Sequence, residues 1–168
     1  MRGGAAAERM PDATRGGPMA TFTRDEIDDA FSKFQEAAEV SAKSGDWTKW
    51  SECFTEDAEY VEHHYGKFKG RKAIYEWIQS TMSEPVNKDM RSFPIDWYVI
   101  DEEKGWVLCS VRNVMDDPGD GSNHEESNWT LLHYAGEGLF SYEEDMYNPV
   151  EFGEMIKGWL KAKKAAKK

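Results

Sequence analysis

Cysteine is scarce in this chain: two residues in 168, Cys53 and Cys109, far apart and in no CxxC pair. That pattern argues against a disulfide scaffold and a cysteine zinc site, and it fits a reducing, cytoplasmic setting. Long apolar runs are missing as well. No stretch approaches the roughly 18–20 apolar residues that a bilayer span needs. The Arg-bearing N-terminus has no apolar core of about 7–15 residues such as a secretory signal carries. No Gly-rich phosphate loop occurs, the run GKFKG at 66–70 being too short, and there is no HExxH or similar metal spacing. No metal is therefore expected. Positive charge is also short, with 21 Lys and Arg against 32 Asp and Glu for a net charge of −11. The basic residues gather at the two ends, so the body between them is more acidic still. A surface of that sign repels phosphate backbones, and neither nucleic acid nor a membrane is an expected partner.

What the chain does have is core material: 39% hydrophobic residues and 13% aromatic, including seven Trp, eight Phe and seven Tyr. With this length they predict one globular domain. Residues 1–20, rich in Gly, Ala and Arg, read as a disordered leader, 21–160 as the domain and 161–168 as a Lys-rich tail. Trimming to 21–160 is expected to leave the melting temperature nearly unchanged. Thr23 with Glu26 three residues on matches a capping box. Ile27, Ala30, Phe31, Phe34, Ala37, Ala38 and Val40 then recur at helical spacing up to Ser44-Gly45. Asp46 opens a short second helix, DWTKWSECF. A strand runs from Ala58 to Tyr65, GKFKG turns, and Arg71 to Met82 forms a third helix. Beyond Pro85 the pattern becomes four β segments at 92–101, 105–115, 125–135 and 139–147, before a closing helix from Val150 to about Lys164. Helices segregated over a curved antiparallel sheet give the α+β class.

That order, with particular residues at particular spacings, resembles the NTF2-like superfamily, and within it the group of SnoaL-like proteins, ketosteroid isomerases and limonene epoxide hydrolases. The residues that carry the likeness are Gly45-Asp46, Phe54-Thr55-Glu56-Asp57-Ala58, Gly70-Arg71-Lys72-Ala73-Ile74, Tyr134-Ala135-Gly136-Glu137-Gly138 and Glu144-Asp145-Met146-Tyr147-Asn148. It covers about residues 23–160. It implies a cone-shaped barrel: three N-terminal helices packed in a bent antiparallel sheet, a C-terminal helix, and an apolar pocket at one end. It also implies a homodimer through the outer sheet face, a hydrophobic small-molecule ligand and no cofactor. The fold hosts isomerases, cyclases, dehydratases, hydrolases and binding modules, so it does not select among them.

Alternation along Ala58–Tyr65 places Tyr60, Glu62 and His64 on one strand face. The isomerase-like base position, counted from Phe54, falls on Glu62. The water-holding Tyr and amide of the epoxide hydrolases, counted back from Gly70, fall on Tyr60 and Glu62. A carboxylate in an aromatic-lined pocket loses hydration and can exchange protons near neutral pH. Glu62 is thus the candidate base, Tyr60 the donor that orients substrate or water, and His64 a further acid/base candidate. Adjacent His63 and His64 point to opposite faces and cannot chelate one metal. Arg112 and Asp145 match the Arg and one Asp of the epoxide-hydrolase site, as an ion pair at the polar end of the pocket. The second Asp falls at Val114, and the isomerase oxyanion donors fall at Ala38 and near Thr130, so both signatures are incomplete. Trp97, Trp129 and Tyr147 are the candidate substrate-binding aromatics of the β region. The expected function is a cofactor-independent SnoaL-like enzyme doing general acid/base chemistry on a polyketide, steroid or terpenoid. The alternative is a noncatalytic module that binds a small molecule or a protein.

Overall fold

The computed structural model describes residues 21–167; the leader expected at 1–20 lies outside them. Helix α1, Arg24–Ser44, starts where the Thr23 hydroxyl accepts the Glu26 N–H at 3.2 Å. It stops at Gly45, whose φ of 77° a residue with a Cβ adopts only at a cost. Its buried stripe, Ile27, Ala30, Phe31 and Phe34, faces the sheet side of the molecule. The second helix, α2, is only Thr48–Ser51. Asp46 caps Thr48 through both its N–H and its hydroxyl, and the chain leaves the turn directly into a strand.

Strand β1 spans Phe54–Glu62, starting four residues before the expected Ala58. The GKFKG run is not a bare turn: Gly66–Lys69 forms β2, antiparallel to β1 with Tyr60 opposite Phe68. Helix α3, Arg71–Thr81, follows, and a 3-10 turn at Asn87–Asp89 leads to β3, Met90–Ser92. The segment expected as one strand from Ser92 is broken at Phe93-Pro94, because Pro has no N–H to give to a ladder. After it come β4, Ile95–Asp101, and β5, Trp106–Met115, with β3 and β4 both pairing with β5. Strands β6, Glu125–Gly136, and β7, Leu139–Met146, complete the antiparallel meander.

The architecture is α+β, four helices against one curved seven-stranded sheet in the order β2-β1-β7-β6-β5-β3, with β4 also on β5. It departs from the expected antiparallel barrel in two ways. β1 runs parallel to β7, which makes the sheet mixed, and among the described residues the sheet does not close. The main core lies inside the curve, where Phe31, Phe34, Trp50, Phe54, Phe140 and Leu132 meet. A second cluster of Met90, Met115, Met155 and Trp159 seats helix α4, Pro149–Ala166, beside it. Among the described residues no helix is long and apolar enough to cross a membrane.

Helix α4 runs past Leu160, so most of the stretch expected as a tail is helix. Lys163 pairs with Asp89 at 3.2 Å and its ammonium sits 4.0 Å from the ring centre of the buried Trp159. Stopping the chain after Leu160 therefore removes a cation–π contact as well as a half-buried ion pair. We expect that truncation to cost about 1 kcal/mol and to lower the melting temperature by about 2–4 °C. Lys164→Ala, on an exposed position of the same helix, should leave it unchanged; differential scanning fluorimetry reads both.

Candidate functional site

Inside the curve lies a cavity of about 360 Å³ bounded by α1, α3, α4 and the concave sheet face. Phe31 and Phe34 from α1, Trp47 and Trp50 around α2, and Trp77 from α3 supply apolar walls. The polar groups gather where β1, β7 and β6 lie side by side. Alternation along β1 brings Tyr60 and Glu62 inward, alternation along β7 brings Glu143 and Asp145, and β6 contributes Asn128 and Thr130. Parallel pairing sets Tyr60 opposite Glu143 and Glu62 opposite Asp145, while antiparallel pairing sets Thr130 opposite Asp145.

Asp145 is the centre of this arrangement. Its Oδ2 accepts the Tyr60 hydroxyl proton, and its Oδ1 accepts from the Thr130 hydroxyl and, at 2.9 Å, from the Asn128 amide. Asn113 holds Asn128 in turn, donating Nδ2 to its Oδ1 at 2.7 Å, which fixes which way that amide points. Removal from water pushes the Asp145 carboxyl up from the ordinary 3.8 to about 6, even though the Thr130 and Tyr60 hydrogen bonds pull it down. Burial first, and the Asp145 charge second, raise the Tyr60 hydroxyl well above its usual range, so it remains a donor.

Glu62 is buried and lines the cavity, but its carboxylate is engaged by the chain itself. Its Oε2 accepts the backbone N–H of His64, at 2.7 Å, and that of Tyr65, which makes it the cap of the turn between β1 and β2. Burial, and then the neighbouring Glu62, raise the Tyr147 hydroxyl well above its usual value. His64 stands exposed at the cavity mouth, beyond the end of β1. His63 points the other way and contacts Glu144 at 2.8 Å.

The expected Arg112–Asp145 pair is not formed. Val111 and Asn113 face the cavity, so Arg112 between them faces outward, with its Nε 2.8 Å from Asp96 and its Nη1 3.4 Å from Glu125. Trp97 and Trp129 also stand on the outer sheet face, packed edge to face at 5.7 Å and about half exposed. Of the three candidate substrate-binding aromatics, the structure brings only Tyr147 to the cavity. Both thiols are pushed up by burial, Cys53 to about 11, which leaves them poor nucleophiles. Among the described residues, no group of three or more His, Cys, Asp or Glu side chains is placed to hold a metal ion.

Three cavity residues were not singled out from the sequence as functional. Asn128 and Asn113 carry no motif, and only the β5-β6-β7 register brings them to Asp145. Glu143 had a signal, because it lies two residues before Asp145 on one strand and so shares its face. It is 4% exposed, its Oε2 has no hydrogen-bond partner, and burial, then Asp145, raise its carboxyl well above the usual range. In sequence it reads as one more acid in the surface-like run Glu143-Glu144-Asp145.

No curated protein sequence gives a significant match to the chain. Solved structures of the same fold do. The LEH-like epoxide hydrolase of M. tuberculosis is 13% identical, over 84% of this chain and 91% of its own, with a TM-score of 0.62. A candidate polyketide cyclase from Xanthomonas campestris is 17% identical, over 79% and 98%, with a TM-score of 0.59. An NTF2-like protein from Anabaena variabilis is 14% identical, over 77% and 95%, with a TM-score of 0.58. At such identities the likeness is one of fold. The SnoaL-like domain model matches residues 33–133, more than half of the sequence and most of the walls of the cavity, and the chain belongs to the SnoaL-like domain family.

Proposed function

We propose that the chain is a cofactor-independent enzyme that transfers protons on a hydrophobic small molecule, with Asp145 as the general base. The observation that carries this reading is the Asp145 carboxylate itself. It sits in an aromatic cavity, oriented by Tyr60, Thr130 and Asn128, with its proton affinity moved toward neutrality. A base so held can take a proton from a carbon acid, as isomerases and cyclases require, or from a water that attacks the ligand, as a hydrolase requires. Glu62 then serves by shaping the wall and fixing the turn that carries His64 and Tyr65. Polyketides, steroids and terpenoids fit the apolar walls. A second reading, a noncatalytic binding module, is favoured by one observation: Arg112 lies outside the cavity, so the acid–Arg–base set of an epoxide hydrolase is not assembled.

The base is tested by substitution once turnover of a polyketide, steroid or terpene epoxide has been found in a panel. Asp145→Asn should lower kcat by about a hundredfold or more, the usual contribution of a positioned acid/base. Glu62→Gln should change kcat less and the melting temperature more, since an amide is a weaker acceptor for two backbone N–H groups. Equal losses in kcat, or a larger one for Glu62→Gln, would move the base to the other wall.

Linkage adds a pH test. Activity should rise with pH up to about 6 and then level off as Asp145 ionises. Stability should run the other way. The folded protein holds the Asp145 proton more tightly than the unfolded chain does, so this contribution is full below the ordinary 3.8 and is lost as pH rises through about 6. Asp145→Asn should therefore flatten the dependence of the melting temperature on pH between about pH 4 and 6.

The outer sheet face exposes Trp97, Val99, Trp129 and Met146. We assign that face to a homodimer contact, because a bare patch of this kind is unusual on a monomer. Light scattering at micromolar concentration should give twice the chain mass, and Trp129→Glu should return it to one.

A further inference from the structure

The cavity is charged in one sense only. Its lining holds three carboxyl groups, Glu62, Glu143 and Asp145, and no Lys or Arg. Two of the three are served by the protein. Asp145 takes hydrogen bonds from Tyr60, Thr130 and Asn128, and Glu62 takes two backbone N–H groups. Glu143 is served less: at 4% exposure its Oε2 receives no hydrogen bond. Tyr60, opposite Glu143 on β1, has committed its one proton to Asp145. A donor supplied by a ligand in the cavity would relieve this oxygen, since an unsatisfied buried acceptor is costly.

A neutral hydroxyl would supply a donor but would leave a buried Asp145 anion beside a second carboxyl. An ammonium supplies donors and charge together, and the ring faces of Trp50, Tyr60 and Trp77 in the same lining attract a cation. A carboxylate or phosphate ligand would meet like charge with no counter-ion. We propose that the cavity takes a hydrophobic ligand carrying a protonated amine, with the ammonium set between Glu143 and Asp145. This rests on the cavity being a ligand site, as read above, and it narrows the ligand from hydrophobic to hydrophobic and cationic.

Three probes of one shape test it: 1-naphthylmethylamine, 1-naphthylmethanol and 1-naphthoate, titrated into the full chain by calorimetry at pH 7.5. The amine should bind about tenfold or more tighter than the alcohol, with the carboxylate weakest, as expected for a desolvated charge contact. In Glu143→Gln the amine should lose most of that preference, while the affinity for the alcohol changes by less than about twofold. An alcohol that binds as well as the amine overturns the proposal. So does the absence of amine binding at millimolar concentration, or a preference that persists unchanged in folded Glu143→Gln. Should that variant not fold, the ranking of the three probes on the unaltered protein decides. Turnover plays no part in these measurements, so a failure of Asp145 as base and a failure of cation selection remain separate results.

Discussion

Tyr60 and Asp145 meet because β1 lies parallel to β7, with Tyr60 opposite Glu143 and Glu62 opposite Asp145. A parallel pair cannot be closed by a tight turn, so the two strands are joined through nearly all the rest of the domain. Everything between them, α3 with the β3-β4-β5-β6 meander, must be in place before the site exists. The polar centre is thus a product of the whole fold, unlike the turn cap at Glu62, which uses neighbours two and three residues away.

Holding acidic groups inside an aromatic cavity works against stability. Each carboxyl loses hydration there, and two of them, Glu143 and Asp145, are displaced toward their neutral forms chiefly by that loss. The protein offsets this unevenly. Asp145 receives three hydrogen bonds and Glu62 receives two, while an oxygen of Glu143 is left without one. A buried carboxyl oxygen without a donor is a cost that the fold carries at this wall of the cavity. The outer face has no such conflict: Arg112, Asp96 and Glu125 pair at the surface, where charges remain hydrated.

Local signals in the sequence decided the element list and the fold class. The Thr23 cap, the helical stripe of α1, the Asn148-Pro149 start of α4 and the alternation of the late strands all act over a few residues, and each appears at or near its expected place. The family resemblance, counted from Phe54 and Gly70, pointed to Tyr60 and Glu62, and both line the cavity. The misses have the same origin as one another. A short strand at Gly66–Lys69 exists because β1 offers it an edge, and Arg112 faces outward because β5 presents Val111 and Asn113 to the interior.

The single observation that alternation alone could have added is Glu143, two residues from Asp145 and therefore on its face. Which of the four acids in the cavity region would be served and which left bare was not open to any such rule. Glu144 turns outward to His63 and Tyr142, Glu62 is taken by its own turn, and Asp145 is claimed by side chains 85, 17 and 15 residues away. Composition and periodicity determined an α+β domain, and the resemblance carried by its motifs implied a SnoaL-like fold with acids in its pocket. Only the tertiary structure decided which acid is held by three hydrogen bonds and which keeps an oxygen without one, because strand register, set by long-range pairing, is what brings a donor to one oxygen and not to another.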